Sequence, residues 1–358
     1  MTVFAAARVL CGDIPNDEPA WVEVDDHRIV ATGVGPRAGA VDLGDRFLAP
    51  GYLDIQVNGM GATDFATATT EECVALFGDM VRGGVTGSCP TVCTAPLDAY
   101  APMLERLSAT AVEVGPRMLG VHLEGPFLGD APGAHPVDLI RPVDLDWLRA
   151  LLDRFPGLVR IVTLAPEADP GFEATKLLVA RGVTVALGHS RASYEDARAA
   201  ADAGATLVTH LFNGMGPLHH RAPGLPGAAL TDHRLTPSLI ADCVHVDPAM
   251  VRLATVARPD LVLVTDAVAT DADGIRFDGD AAYLSDGTLA GSGLTMERAV
   301  RNVVMLGVPV AVAVTMATTN PARVLGLTDR GRIVPGARAD LITVRSTDSS
   351  AEPVNVAA

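Results

Sequence analysis

The runs Thr184-Val185-Ala186-Leu187-Gly188-His189-Ser190 and Leu207-Val208-Thr209-His210-Leu211-Phe212-Asn213 decide how this chain is read. Each is a short, β-branched, apolar stretch that stops at a histidine, the pattern of a buried strand delivering a polar side chain at its C-terminal end. Either histidine alone reads equally well as a hydrogen-bonded core residue. Together they make half of a metal site, because imidazole is the commonest transition-metal ligand and the ends of parallel strands converge in space.

Working outward, the same alternation of apolar strand, polar turn and amphipathic helix repeats on both sides. Expected strands are Leu53–Val57, Gly84–Pro90, Arg117–Leu123, Val159–Leu164, Thr184–Leu187, Thr206–Thr209, Ser238–Cys243 and Leu261–Thr265, with helices including Thr70–Arg82, Asp144–Phe155, Phe172–Arg181 and Ser193–Ala203. Eight strands alternating with helices are the count of an α/β protein of the (β/α)8 TIM-barrel type, over residues 51–330, whose active site sits at the strand C-termini. A doubly wound open sheet is the competing arrangement, disfavoured because no glycine fingerprint follows the first strand. Residues 1–50 and 331–358 alternate apolar and polar in short runs, such as Trp21-Val22-Glu23-Val24, and are expected to form one small β-sandwich domain from both chain termini. The polar stretch after Arg345 is expected to fray.

Composition narrows the function. A 49% hydrophobic chain of 358 residues can bury a large core, and its net charge of -16 opposes binding to nucleic acid or anionic membranes. A small anionic substrate needs only a local Arg and His cluster. The five cysteines, Cys11, Cys73, Cys89, Cys93 and Cys243, contain no CxxC pair and read as reduced, buried small hydrophobes in a cytoplasmic protein. Met1 to Gly12 lacks a basic n-region and Arg8 interrupts its apolar run, so a signal peptide is not expected, and the apolar stretch from Val308 to Ala317 is too short to span a bilayer.

Polar groups follow nearly every expected strand: Gln56 and Asn58, Glu124, His189, His210, His245 and Asp266. Glu124, His189 and His210 supply two imidazoles and a carboxylate, a ligand set that leaves a position open on a catalytic cation. His122 stands on the same strand face and is an alternative ligand; Glu124 is alternatively a turn cap at Gly125-Pro126. Asp266 ends an apolar run, and the single lysine, Lys176, lies in a helical stretch where it cannot be its partner. The aspartate is then either a buried structural carboxylate or a base beside activated water. The loop Asn213-Gly214-Met215-Gly216, followed by His219, His220 and Arg221, offers backbone N–H groups and a guanidinium to a phosphate.

Seven motifs carry a resemblance: Pro50-Gly51-Tyr52-Leu53-Asp54-Ile55-Gln56-Val57-Asn58-Gly59, His122-Leu123-Glu124-Gly125-Pro126, Gly188-His189-Ser190, Thr209-His210-Leu211-Phe212-Asn213-Gly214-Met215, Ala241-Asp242-Cys243-Val244-His245-Val246-Asp247, Thr265-Asp266-Ala267 and Gly293-Leu294-Thr295-Met296. In this order they resemble the N-acetylglucosamine-6-phosphate deacetylase family of the amidohydrolase superfamily, from about Pro50 to Leu341. The resemblance implies hydrolysis of the acetamide of a small phosphorylated amino sugar. It implies one divalent metal per chain, zinc first and iron, cobalt or manganese after it, held by Glu124, His189 and His210. Asp266 would be the acid/base, and His135 would hydrogen-bond the acetyl group. Asn213 and Gly214 would meet sugar or phosphate, while Arg221 and His245 would reach the phosphate in a neighbouring subunit of a homodimer. The superfamily's first-strand HxH is here Gln56-x-Asn58, which argues against a second tightly held metal. Gly214 stands where alanine is common, which reads as a small change. The nearest rivals are a cyclic-amide hydrolase of the dihydroorotase type, which the lack of a strand-end lysine opposes, and a metal-free scaffold.

Overall fold

The computed structural model describes residues 1–14, 17–270, 274–345 and 351–354. Eight strands, Tyr52–Val57, Val85–Val92, Val121–Glu124, Val159–Leu164, Thr184–Leu187, Leu207–Val208, Thr236–Ile240 and Val262–Val264, pair in parallel and in chain order. They are buried almost throughout, as they must be when side chains fill the barrel on one face and meet helices on the other. The barrel nearly closes where Val57 bridges Ala267, with Asp266 N donating to Gln56 O at 2.9 Å and Asn58 N to Ala267 O at 2.8 Å.

Helices cover this barrel for local reasons that can be named. In Thr70–Arg82, the Thr69 hydroxyl accepts from Glu72 N while the Glu72 carboxylate accepts from Thr69 N, a reciprocal cap. Cys73, Leu76, Phe77 and Met80 then fall on one face at helical spacing and enter the core. The helix Val310–Ala317, the apolar stretch of the sequence, packs Ala313, Val314, Met316 and Ala317 into that core. Among the described residues no helix is long and apolar enough to cross a membrane.

Two four-stranded sheets lie beside the barrel, and the second of them joins the chain ends. In one, Thr2–Ala6 lies between Ala20–Asp25 and Val41–Asp42, with Arg28–Val34 outside. In the other, Phe47–Pro50 pairs antiparallel with Leu341–Val344. Phe4, Val22, Ile29, Leu48, Ile333 and Leu341 form a second apolar core shared by the two sheets.

The strands Val159–Leu164 and Thr184–Leu187 and the helix Thr70–Arg82 fall where the sequence puts them. Others shift for visible causes. The third strand starts at Val121, because Gly115–Arg117 is a 3-10 turn and Gly120 has φ +122°. The seventh ends at Ile240, because Asp242 accepts from Val244 N and His245 N, both at 2.9 Å, and turns the chain. The expected fraying after Arg345 is corrected for Ala351–Pro353, which pairs with Leu341–Val344; residues 346–350 and 355–358 lie outside the described residues. A three-stranded antiparallel sheet, Arg276–Asp278, Ala281–Tyr283 and Leu289–Ser292, follows the eighth strand and is absent from the sequence reading.

Candidate active site

The strand ends deliver the polar groups to one cavity of about 370 Å³, lined by Asn58, Cys93, Glu124, His135, His189, His210, Asn213, Gly214, His245 and Asp266. That size suits a small ligand such as one phosphorylated sugar. Glu124 is the last residue of its strand, whereas His189, His210 and Asp266 stand just beyond theirs with φ of 49°, 28° and 48°. Left-handed backbone costs a non-glycine residue about 1–2 kcal/mol. Here the cost is met by the surrounding hydrogen bonds, His210 N to Ser238 Oγ at 2.8 Å and Asp266 N to Gln56 O at 2.9 Å, which hold both turns.

Glu124 Oε1 lies 2.9 Å from His189 Nε2 and 3.0 Å from His210 Nε2. Burial by itself would raise the Glu124 carboxyl, but hydrogen bonds and charge from the two imidazoles hold it well below the usual range. His210 is held above its ordinary value because Glu124 outweighs the effect of burial. His189 Nδ1 lies 3.2 Å from the carbonyl of Ala131, to which it must donate. In the neutral ring Nε2 then carries a lone pair aimed at a carboxylate oxygen, a contact relieved by a proton or by a metal cation between the atoms. The side chains therefore fit a divalent metal, as two imidazoles and one carboxylate with ligand atoms all within 4.8 Å of one another. His122 is excluded from this set: its ring nitrogens face Ile55 O at 3.1 Å and Thr163 Oγ1 at 2.7 Å. Burial lowers its pKa to about 4, which keeps it a neutral structural group.

Gln56 and Asn58 use their amides as donors. Gln56 Nε2 lies 3.2 Å from both Glu124 carboxylate oxygens and 3.3 Å from Asp266 Oδ1, and Asn58 Nδ2 lies 2.8 Å from Asp266 Oδ1. Burial raises the Asp266 carboxyl to about 6 and the Glu124 charge adds to it, against the pull of His210, His245 and the Asn58 hydrogen bond. A carboxyl held near neutrality can both take and return a proton.

His135 lies beside this cluster, its ring 4.3 Å from that of His189 and its Nδ1 2.9 Å from Thr94 Oγ1. Burial, then the His189 charge, brings its pKa to about 3, so it is neutral. Gly214 has φ +57°, and a Cβ there would stand 2.8 Å from His189 Nδ1. The glycine is thus no small change: a side chain would press on a candidate metal ligand. His245 donates from Nδ1 to Asp242 Oδ2 at 2.6 Å. It lines its own chain's cavity. Arg221 is exposed and outside the lining. The sequence reading missed the wall of Leu289 and Ala290 from the three-stranded sheet with Leu284 from the turn between its strands, and Cys93, which it treated as a small core residue.

This architecture and site define a hydrolase of the amidohydrolase class, and the chain belongs to the Amidohydrolase family, whose pattern matches residues 47–358. Members of that family are typically metal-dependent. Within it, the chain is 40% identical to an N-acetylglucosamine-6-phosphate deacetylase of Bos taurus, over 98% of this chain and 95% of that one. It is 37% identical to an N-acetylgalactosamine-6-phosphate deacetylase of Escherichia coli O157:H7, over 92% and 93%. A mutant N-acetyl-D-glucosamine-6-phosphate deacetylase from Mycobacterium smegmatis, in complex with N-acetyl-D-glucosamine-6-phosphate, matches with a TM-score of 0.90 at 36% identity, covering 98% of this chain and 96% of that one.

Proposed function

We propose that this chain hydrolyses the acetamide of N-acetyl-D-glucosamine 6-phosphate to D-glucosamine 6-phosphate and acetate. The observation that carries the reading is Gln56 Nε2 donating to both Glu124 and Asp266, which joins a candidate metal cluster to a carboxylate of raised pKa in one cavity. Glu124, His189 and His210 would hold one divalent metal, zinc first, with iron, cobalt or manganese also suited to a nitrogen and oxygen set. Bound there, the metal would supply Lewis-acid polarisation of the amide carbonyl and acidify water.

The chain's own residues do the rest. His135 donates a hydrogen bond to the acetyl oxygen, with Thr94 fixing its ring. Asp266 takes the proton of the attacking water as its oxygen joins the carbonyl carbon, then returns it to nitrogen as the C–N bond breaks. Asn213 and Gly214 meet the sugar or its phosphate, and His245, oriented by Asp242, addresses the phosphate from its own pocket. Arg221 reaches the pocket of a second copy, so the working form is a homodimer. We assign the catalytic unit to residues 51–330, the companion sandwich to 1–50 and 331–358, and the site of action to the cytoplasm.

The galacto epimer is the second reading, favoured by the 37% identical E. coli relative. The assay that tests both quantifies acetate and free amine released from each epimer of the 6-phosphate. Equal yields of acetate and amine from the gluco sugar, lost in Asp266→Asn, are expected. Release of neither product from either sugar by the metal-loaded protein would refute the reading.

A further inference from the structure

Cys93 is the one cysteine placed in the cavity with the candidate metal cluster. Its Sγ lies 3.1 Å from Asn58 Oδ1 and 3.9 Å from Glu124 Oε2. His135 Nε2 lies 4.0 Å from the other carboxylate oxygen, Oε1. A tetrahedral cation about 2.0–2.3 Å from sulfur, nitrogen and oxygen sets its ligand atoms roughly 3.3–3.8 Å apart. The two separations from Glu124 are within tenths of an ångström of that range, and the sulfur and nitrogen lie no more than 4.8 Å apart. All three ligand atoms lie within 4.8 Å of one another. The group shares Glu124 with the first cluster, Cys93 standing at Oε2 and His135 at Oε1, the oxygen that His189 and His210 also approach.

We propose that Cys93, Glu124 and His135 form a second, weaker site for a soft divalent cation, and that its occupation blocks substrate. The soft thiolate selects zinc or cadmium over harder cations. Binding displaces the thiol proton to solvent as the S–metal bond forms, and no electrons are transferred. The blockade follows from one ring nitrogen having two uses. Thr94 N donates to His135 Nδ1 at 3.4 Å and Thr94 Oγ1 lies 2.9 Å from the same nitrogen, which favours the proton on Nε2; freeing Nε2 as a ligand gives up the Thr94 N contact and leaves the hydroxyl to accept from Nδ1, which makes the second site the weaker one. With the proton on Nε2 the ring can donate to an acetyl oxygen; with the proton on Nδ1 the same Nε2 is a ligand. One ring cannot do both. The binding stands independently of the deacetylase reading, and only the competition with substrate rests on it.

Protein already carrying one equivalent of its native metal is titrated with cadmium. The readouts are bound cadmium and retained native metal by elemental analysis after dialysis, and the ultraviolet thiolate-to-cadmium absorbance. One further equivalent is expected, with that absorbance, while the native metal stays. Cys93→Ser should abolish the absorbance and raise Kd for the second ion more than about tenfold, the loss that even an outer partner of a ligand causes. His135→Asn, altered on the opposite side of the site, should weaken the second ion similarly. Cadmium that merely exchanges with the native metal, an absorbance unchanged in Cys93→Ser, or a failure to take up a second equivalent would each overturn the site. Uptake without competition against the phosphorylated sugar would leave the site standing and overturn its proposed effect.

Discussion

His189 Nε2 and His210 Nε2 lie 3.1 Å apart, both within 3.0 Å of Glu124 Oε1. With His189 Nδ1 committed to the Ala131 carbonyl, this convergence is balanced only when positive charge sits among the three atoms. A bound metal should therefore be part of the stability of the native state. Removal by a strong chelator should lower Tm by several degrees, and a divalent ion at a thousandfold excess over Kd should restore about 4 kcal/mol. A Tm indifferent to chelation, measured by calorimetry, would contradict the cluster's role.

Glu124 and Asp266 share the Gln56 amide but should fail differently. Glu124→Gln removes the charge facing both imidazoles and should lose the metal. Asp266→Asn should retain the metal and lose turnover by roughly 10²–10⁴-fold, the span of general acid–base catalysis. Elemental analysis beside kcat separates the two. Near-normal kcat in Asp266→Asn would remove it from the role of base.

Arg221 is exposed and clear of its own cavity, so its value should depend on assembly. Arg221→Ala should raise KM for the phosphorylated sugar about ten- to a hundredfold, the worth of a charge-assisted contact, with little change for the unphosphorylated sugar. Mixed with Asp266→Asn, it should recover partial activity, since a heterodimer then holds one pocket with both defects and one with neither. A fully active monomer in analytical ultracentrifugation would defeat this assignment.

Asp54 is buried in the barrel against Thr265, whose hydroxyl donates to it at 2.5 Å. Burial raises its carboxyl to about 7, against the hydrogen bonds from Thr265 and Gln56. Unfolded, the same group releases its proton near pH 4. Between these values the native state binds more protons, so this residue's contribution to stability falls as pH rises from about 4 to 7. Asp54→Asn should flatten that slope, gaining on the wild type as pH increases. Parallel denaturant titrations at pH 5 and 8 check it; an unchanged difference between the proteins would contradict the sign.

The barrel strands were legible because burial on both faces writes continuous apolar runs, and the metal cluster because polar residues interrupt those runs at their ends. What escaped depends on contacts between distant segments. Strand limits at Val121 and Ile240 are set by a 3-10 turn and by Asp242 capping, which apolar patterning does not encode. The short strands between Arg276 and Ser292 gain their partners from one another and their place from the cavity mouth. His122 and His135 look alike in sequence, yet Ile55 and Thr163 occupy one ring while the other borders the cavity. Cys93 reads as a core residue until the fold sets it beside Glu124.

The most direct test of the central claim is kcat/KM for acetate release by metal-loaded protein from N-acetylglucosamine 6-phosphate, measured beside the unphosphorylated sugar. The account predicts turnover of the phosphorylated sugar that exceeds the other by at least about tenfold, the worth of one phosphate contact. Equal rates on the two sugars, or no acetate from the phosphorylated one, would contradict it.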